Sequence, residues 1–154
     1  MILVLDNNIL VALFADQTAV HGLNTFAKDN NIAQIIIPTP ALCEFLAHDS
    51  KERISFIQKT KRIASFSAFD EKSAFLTAAL AEKYYADRLA IDKQKVKVDL
   101  QILGIALANK AKLLLTGDND FKSYVEKLKL PIQIKRIADL QISQNLLDES
   151  KRTQ

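Results

Sequence analysis

In LLLTGDNDF, residues 113–121, an apolar run ends in Thr116 and Gly117 and then in two carboxylates one residue apart, Asp118 and Asp120. A second apolar run, ILVL at 2–5, ends in Asp6. Asp99 opens the apolar stretch DLQILGIALA, and Glu44 stands inside TPALCEFLA. Carboxylates packed together repel one another and take up protons unless a cation neutralises them. A pocket built of carboxylates alone suits a hard cation such as Mg2+ or Mn2+, which prefers oxygen ligands and keeps part of its water. Each acid also has an ordinary reading. Asp6 and Asp99 are good helix N-caps, and Asp118 and Asp120 lie in a run rich in turn formers. Glu44 is either a surface residue or the lining of a cleft.

Whether these acids can meet depends on the elements that carry them. ILVL, IIIP (35–38), KLLLT (112–116) and IQIKRI (132–137) are short apolar runs of the kind that fill strands buried on both faces. IASFSAF (63–69) alternates as a strand does, with a helix as the alternative. Between them, 9–30 suits one or two helices broken at DNN (29–31), and TPALCEFLAHDS predicts a helix with Thr39 as N-cap and Pro40 at the first helical position. RISFIQKTKR is amphipathic, EKSAFLTAALAEKYYA is a helix capped by Asp70, and a buried helix starts at Asp99, with Gly104 allowing close packing. The stretch 86–97 is charged and weakly patterned, a loop or a frayed helix end. On a helical wheel Glu44 shares a face with Ala41 and His48, away from the stripe of Leu42, Phe45 and Leu46.

Strands alternating with helices predict a single-domain three-layer α/β/α fold with a mainly parallel sheet over residues 1–140, followed by a polar C-terminal tail at 141–154. Ligands of such sheets bind outside the carboxyl ends of the strands. Asp6, Asp118 and Asp120 should stand at that edge, as should the start of the Asp99 helix.

Composition sets bounds around this. The chain has 154 residues, 49% of them apolar, enough for one sizeable core. The net charge of +3 permits a nucleic-acid partner without requiring one, and the basic residues gather in KERISFIQKTKR (51–62) and DKQKVK (92–97). Cys43 is the only cysteine, which excludes an intrachain disulfide and points to a reducing, cytoplasmic setting. No apolar run approaches the ~20 residues of a membrane helix. His21 and His48 form no triad with a Ser or Cys elbow. Cys43 reads as a small buried hydrophobe, Phe45, Phe66, Phe69, Phe75 and Phe121 as core, and Tyr84 and Tyr85 as a packed helix end.

LDNN after the first strand, Glu44 in TPALCEFLA, DLQILGIALA from Asp99, and LLTGDNDF, in this order, resemble the PIN-domain nucleases, in particular the VapC-like toxin ribonucleases. The resemblance runs from Met1 to about Leu140. It implies that Asp6, Glu44, Asp99 and Asp118 bind one or two Mg2+ or Mn2+ ions, with Asp120 as a further acidic member and Asn8 and Thr116 in support. It also implies metal-assisted hydrolysis of RNA phosphodiester bonds, a cognate antitoxin and a homodimer. Lys51, Arg53, Lys59, Lys61 and Arg62 are candidates for holding the RNA backbone, or form a solvated helix face. Asn7 departs from the pattern, which commonly has Thr after the first Asp, and the chain is longer than the compact toxins. The alternatives are a PIN scaffold that binds metal or RNA without a toxin role, and a structure-specific DNA nuclease. A haloacid-dehalogenase-type phosphatase would need an acid where Asn8 stands, and a receiver domain would need adjacent acids after the first strand.

Overall fold

The apolar runs do become the strands. A computed structural model describes residues 1–48, 50–86 and 93–140. Its sheet consists of β1 (Ile2–Leu5), β2 (Gln34–Pro38), β3 (Ser65–Ser67), β4 (Leu113–Thr116) and β5 (Gln133–Arg136), all parallel, in the order β3-β2-β1-β4-β5. The helices among the described residues are α1 (Asn7–Ala15), α2 (Gln17–Asp29), α3 (Thr39–Ala47), α4 (Lys51–Thr60), α5 (Glu71–Tyr85), α6 (Lys93–Ala108) and α7 (Asp120–Leu128).

Because successive strand residues point to opposite faces, the apolar runs feed two cores. Leu3, Leu5, Ile35, Ile37, Leu113 and Leu115 pack under α1, α2 and α4, with Ile9, Leu10, Leu23, Phe26 and Ile57 as partners. Val4, Ile36 and Leu114 face the other way, against Leu80 of α5, Leu100, Leu103 and Ala106 of α6, and Phe121 of α7. Helix α3 serves both sides, giving Phe45 to the first core and Ala41 to the second. This is the expected α/β/α arrangement. Gly104 does allow a close approach: a Cβ there would lie 2.0 Å from Thr77 Oγ1 and 2.9 Å from the Ser73 carbonyl of α5. Asp70 caps α5 as expected, its Oδ1 accepting from the Ser73 N–H at 2.8 Å.

Several local expectations are corrected. Asp99 does not open its helix. α6 begins at Lys93, because Val96 is buried and Val98 packs against the core, an apolar stripe that the surrounding lysines mask in the sequence. Residues 93–97 are therefore helical rather than loop, and 87–92 lie outside the described residues. Thr39 is the first residue of α3 rather than its cap. Pro38 takes the cap position with no side-chain bond, and the Thr39 hydroxyl accepts from the Phe69 N–H at 3.2 Å instead. Cys43 is exposed, since α3 buries its Ala41 and Phe45 positions and leaves 43 outside. Phe69 and Phe75 are also exposed, Phe75 at 70%, because neither position of the α5 region faces the sheet. The tail from 141 lies outside the described residues, and among those described no helix is long and apolar enough to cross a membrane.

Candidate active site at the sheet edge

The strand order reverses at β1. β2 and β3 lie on one side of it, β4 and β5 on the other. In an open parallel sheet the crevice at such a switch point, beyond the carboxyl ends of the strands, is where ligands bind. The two strands flanking the switch end in Asp6 and in Thr116-Gly117-Asp118.

Those two ends are laced together. Asp6 is buried, at 5% exposure, and it caps α1 as well as facing β4. Its Oδ1 accepts from the Asn7 N–H at 2.7 Å and its Oδ2 from the Thr116 hydroxyl at 2.8 Å, a bond that joins residues 110 apart in the chain. Thr116, fully buried, also accepts from the Asp118 N–H at 2.9 Å. Asn8 Oδ1 accepts from the Gly117 N–H at 2.7 Å. A Cβ at residue 117 would come within 3.3 Å of the Asn8 amide carbon, so glycine suits this close approach. Asp118 Oδ1 accepts from the Asp120 N–H at 2.9 Å, the turn expected of this stretch, and Asp120 then starts α7. Asp118 thus forms the expected turn within the same hydrogen-bonded unit as Asp6.

Glu44 joins this group electrostatically. It lies on the exposed side of α3, yet partial burial of its carboxyl and, after that, the negative charge of Asp6 push its pKa above the ordinary glutamate value. Of the two places open to it, surface or cleft lining, the coupling to Asp6 favours the second.

Asp99 and Asp120 belong to a neighbouring group centred on a residue the sequence did not single out. Asp99 lies in the second turn of α6, 8% exposed, and its charge is felt by Tyr124, which is itself 5% exposed on α7. Burial, then the charges of Asp99 and Asp120, raise the Tyr124 phenol well above its ordinary range. Tyr124 stands four residues after Asp120 in DFKSY, one helical turn on the same face, and that spacing was the available signal. Arg136 was missed as well. It sits on β5 in register with Thr116, and its guanidinium donates to Asn119 Oδ1 in the loop between the two site acids.

The structure therefore brings Asp6, Asn8, Thr116 and Asp118 into one hydrogen-bonded unit, with Glu44 near enough to feel Asp6, and gathers Asp99 and Asp120 around Tyr124. In kind, these donors fit a hard divalent cation, being oxygen ligands without Cys or His. The Glu44 carboxyl is raised first by burial and then by the Asp6 charge, and a cation would relieve that second, like-charge part; Asn7 Oδ1 is a buried acceptor that meets no donor among the described residues. In spacing, among the described residues no three His, Cys, Asp or Glu side chains stand close enough to grip one ion as they are.

The basic residues proposed for the RNA backbone divide differently. Arg53 Nη1 donates to the Phe45 carbonyl at 2.6 Å and its guanidinium lies 4.6 Å from the Phe45 ring and 5.5 Å from that of Phe14. It is held in the α1–α3–α4 packing and is not a solvated contact. Lys61 lies over Phe66, at 5.8 Å. A cavity of about 500 Å³ lined by Phe14, Phe56, Lys51 and Lys59 lies on the same side and includes none of the site acids. The chemistry points to the sheet edge rather than to this hollow.

A family model described as PIN domain matches residues 3–127. Among solved structures, the chain is similar to VapBC2 from Rickettsia felis bound to a DNA fragment from their promoter, with a TM-score of 0.67, 22% identity, and coverage of 88% of this chain and 98% of that one. It is also similar to VapBC-1 from nontypeable Haemophilus influenzae, with a TM-score of 0.64, 15% identity, and coverage of 90% and 99%. A third is FitAcB from Neisseria gonorrhoeae, with a TM-score of 0.57, 15% identity, and coverage of 89% and 98%. At these identities the likeness speaks to the fold. No curated protein matches the sequence.

Proposed function

The chain belongs to the PIN domain family, and from that premise we propose that it is a divalent-metal-dependent endoribonuclease, the toxin of a toxin–antitoxin pair. One observation carries the reading. A single buried hydroxyl, Thr116, bonds the carboxylate of Asp6 and the backbone N–H of Asp118, two acids 112 residues apart, at the switch point of a parallel sheet.

In this reading Asp6, Glu44, Asp99 and Asp118 would hold Mg2+ or Mn2+, with Asp120 as an additional acid and the side chains closing on the ion from both groups. When bound, such an ion lowers the pKa of a coordinated water and stabilises charge on the phosphate and the leaving oxygen. The protein's own contributions are separate. Thr116 fixes Asp6 through Oδ2 while the Asn7 N–H fixes Oδ1, so the carboxylate is held in one orientation. Asn8 pins the Gly117 backbone, so the loop that presents Asp118 cannot drift from β1. Glu44, with its raised pKa, is suited to take a proton from an attacking water at its carboxylate oxygen or to orient that water. Arg136, at the same edge, would meet a backbone phosphate, with the exposed lysines of α4 further out.

The fold shared with VapBC structures supports a cognate antitoxin, and the resemblance to VapC-like toxins implies a homodimer. The test is cleavage of single-stranded RNA by the purified protein. Cleavage is expected only with millimolar Mg2+ or Mn2+, to stop with EDTA, and to fall at least 100-fold in Asp6→Asn and Asp118→Asn, in line with ~2.7 kcal/mol or more of lost transition-state stabilisation. Undiminished cleavage in both variants would remove the assignment.

A further inference from the structure

The loop that carries Asp118 leaves β4, the strand that lies between β1 and β5. On the β1 side it is held by Asn8 of α1, whose Oδ1 accepts from the Gly117 N–H at 2.7 Å. Its centre is laced from within, the Asp118 N–H donating to Thr116 Oγ1 and the Asp120 N–H to Asp118 Oδ1, both at 2.9 Å. Asn119 stands apart from this lacing. It takes the N-cap position of α7, where an asparagine side chain ordinarily accepts from the first N–H groups of the helix, yet it makes no side-chain cap bond. Its Oδ1 accepts instead from the Arg136 guanidinium on β5. Arg136 is itself anchored, paired in register with Thr116 and with its N–H donating to Asp139 Oδ2 at 2.7 Å.

We propose that Arg136 is a positioning residue: through Asn119 it fastens the acid-bearing loop to β5, so that the loop is held on both sides and presents Asp118 to a divalent cation already ordered. This rests on the reading of Asp118 as a ligand. A loop fastened on one side only keeps backbone freedom that ligation must then remove, and partners that orient metal ligands are typically worth about 10–100-fold in affinity. The bond from Arg136 to Asn119 is open to solvent, which places its effect at the low end of that range. A guanidinium carries several N–H donors, so holding Asn119 does not compete with a phosphate contact. Asn8 and Arg136 thus form a clasp, one from each side of β4.

Asn119 is exposed, so Asn119→Ala removes the acceptor without changing charge or core packing. In metal-free protein the Asp118 and Asp120 amides of this variant are expected to exchange hydrogen faster than in wild type. Mn2+, followed by electron paramagnetic resonance of the free ion during titration, is expected to bind about 10-fold more weakly. Arg136→Met also takes a positive charge away from the acids, so its role is read as a coupling: Asn119→Ala should cost nothing further in the Arg136→Met background. Three results, each alongside a weakened Asp118→Asn, would overturn the role of Arg136 and leave Asp118 as a ligand: wild-type affinity in Asn119→Ala, a loss of affinity with wild-type amide exchange, or the same loss in both backgrounds. Wild-type affinity in Asp118→Asn would overturn the ligand reading and the purpose of the clasp together.

Discussion

Thr116 carries two jobs with one oxygen, donating to Asp6 and accepting from the Asp118 N–H while fully buried. Valine has nearly the same shape and no hydroxyl, so Thr116→Val withdraws both bonds inside a dry site. A loss of about 1–3 kcal/mol in chemical denaturation is expected, with Thr116→Ser close to wild type. Cleavage should fall more steeply than stability, because the same change frees Asp6 to rotate. Glu44 allows a pH prediction. Its folded pKa is raised, so its contribution to stability is fully present below the unfolded value and is lost as pH rises through the folded one. In EDTA at neutral pH, Glu44→Gln should therefore melt higher than wild type, with the difference shrinking as pH falls through the glutamate range. A wild type that melts higher at neutral pH would contradict the Asp6–Glu44 coupling. Asp6, Glu44 and Asp118 were legible in the sequence because acids after strands and a short acidic motif are local features. Tyr124 and Arg136 were not, since an isolated Tyr or Arg carries no sign of the element it faces. Arg53 read as a basic surface residue for the same reason: the two phenylalanine rings that hold it come from other helices.

The strands were the easiest elements to read, since a parallel sheet covered on both faces demands continuous apolar runs. Helix ends were harder. The start of α6 was placed six residues late because its first turns mix lysines with single buried valines, and Thr39 looked like a cap although its hydroxyl is bound to the Phe69 backbone across a loop. The packing of α5 on α6 yields an element-scale prediction. At Gly104 a methyl group would collide with Thr77 Oγ1 and the Ser73 carbonyl, and backbone cannot yield cheaply. Gly104→Ala should cost about 1–3 kcal/mol despite its better helix propensity. Thr77→Ser/Gly104→Ala should not recover the loss in full, because the Ser73 carbonyl remains. Since α6 also carries Asp99, a shift of this helix should weaken Mn2+ binding in proportion.

For the molecule as a whole, the strand order decides what the scattered acids can do. β1 next to β4 is a pairing of the third residue onward with residue 113 onward, and it is this pairing that sets Asp6 beside Thr116. The alternation of elements foretold a parallel sheet, but not how nearly its acids would close on a single point. Asp6 and Asp118 share one hydrogen-bonded unit, Asp99 and Asp120 both act on Tyr124, and no three acids are close enough to grip an ion as they are among the described residues. Binding should therefore cost ordering and return stability: Mn2+ is expected to raise the melting temperature through preferential binding to the folded state, and Asp99→Asn to abolish most of that gain. Manganese is also the most direct probe of the central claim, that one divalent ion is shared across the two groups. Anomalous diffraction at the manganese edge, from crystals grown with Mn2+, is expected to show a peak coordinated by Asp6 or Asp118 together with Asp99 or Asp120. A peak confined to acids elsewhere on the surface, or none at all, would contradict the claim.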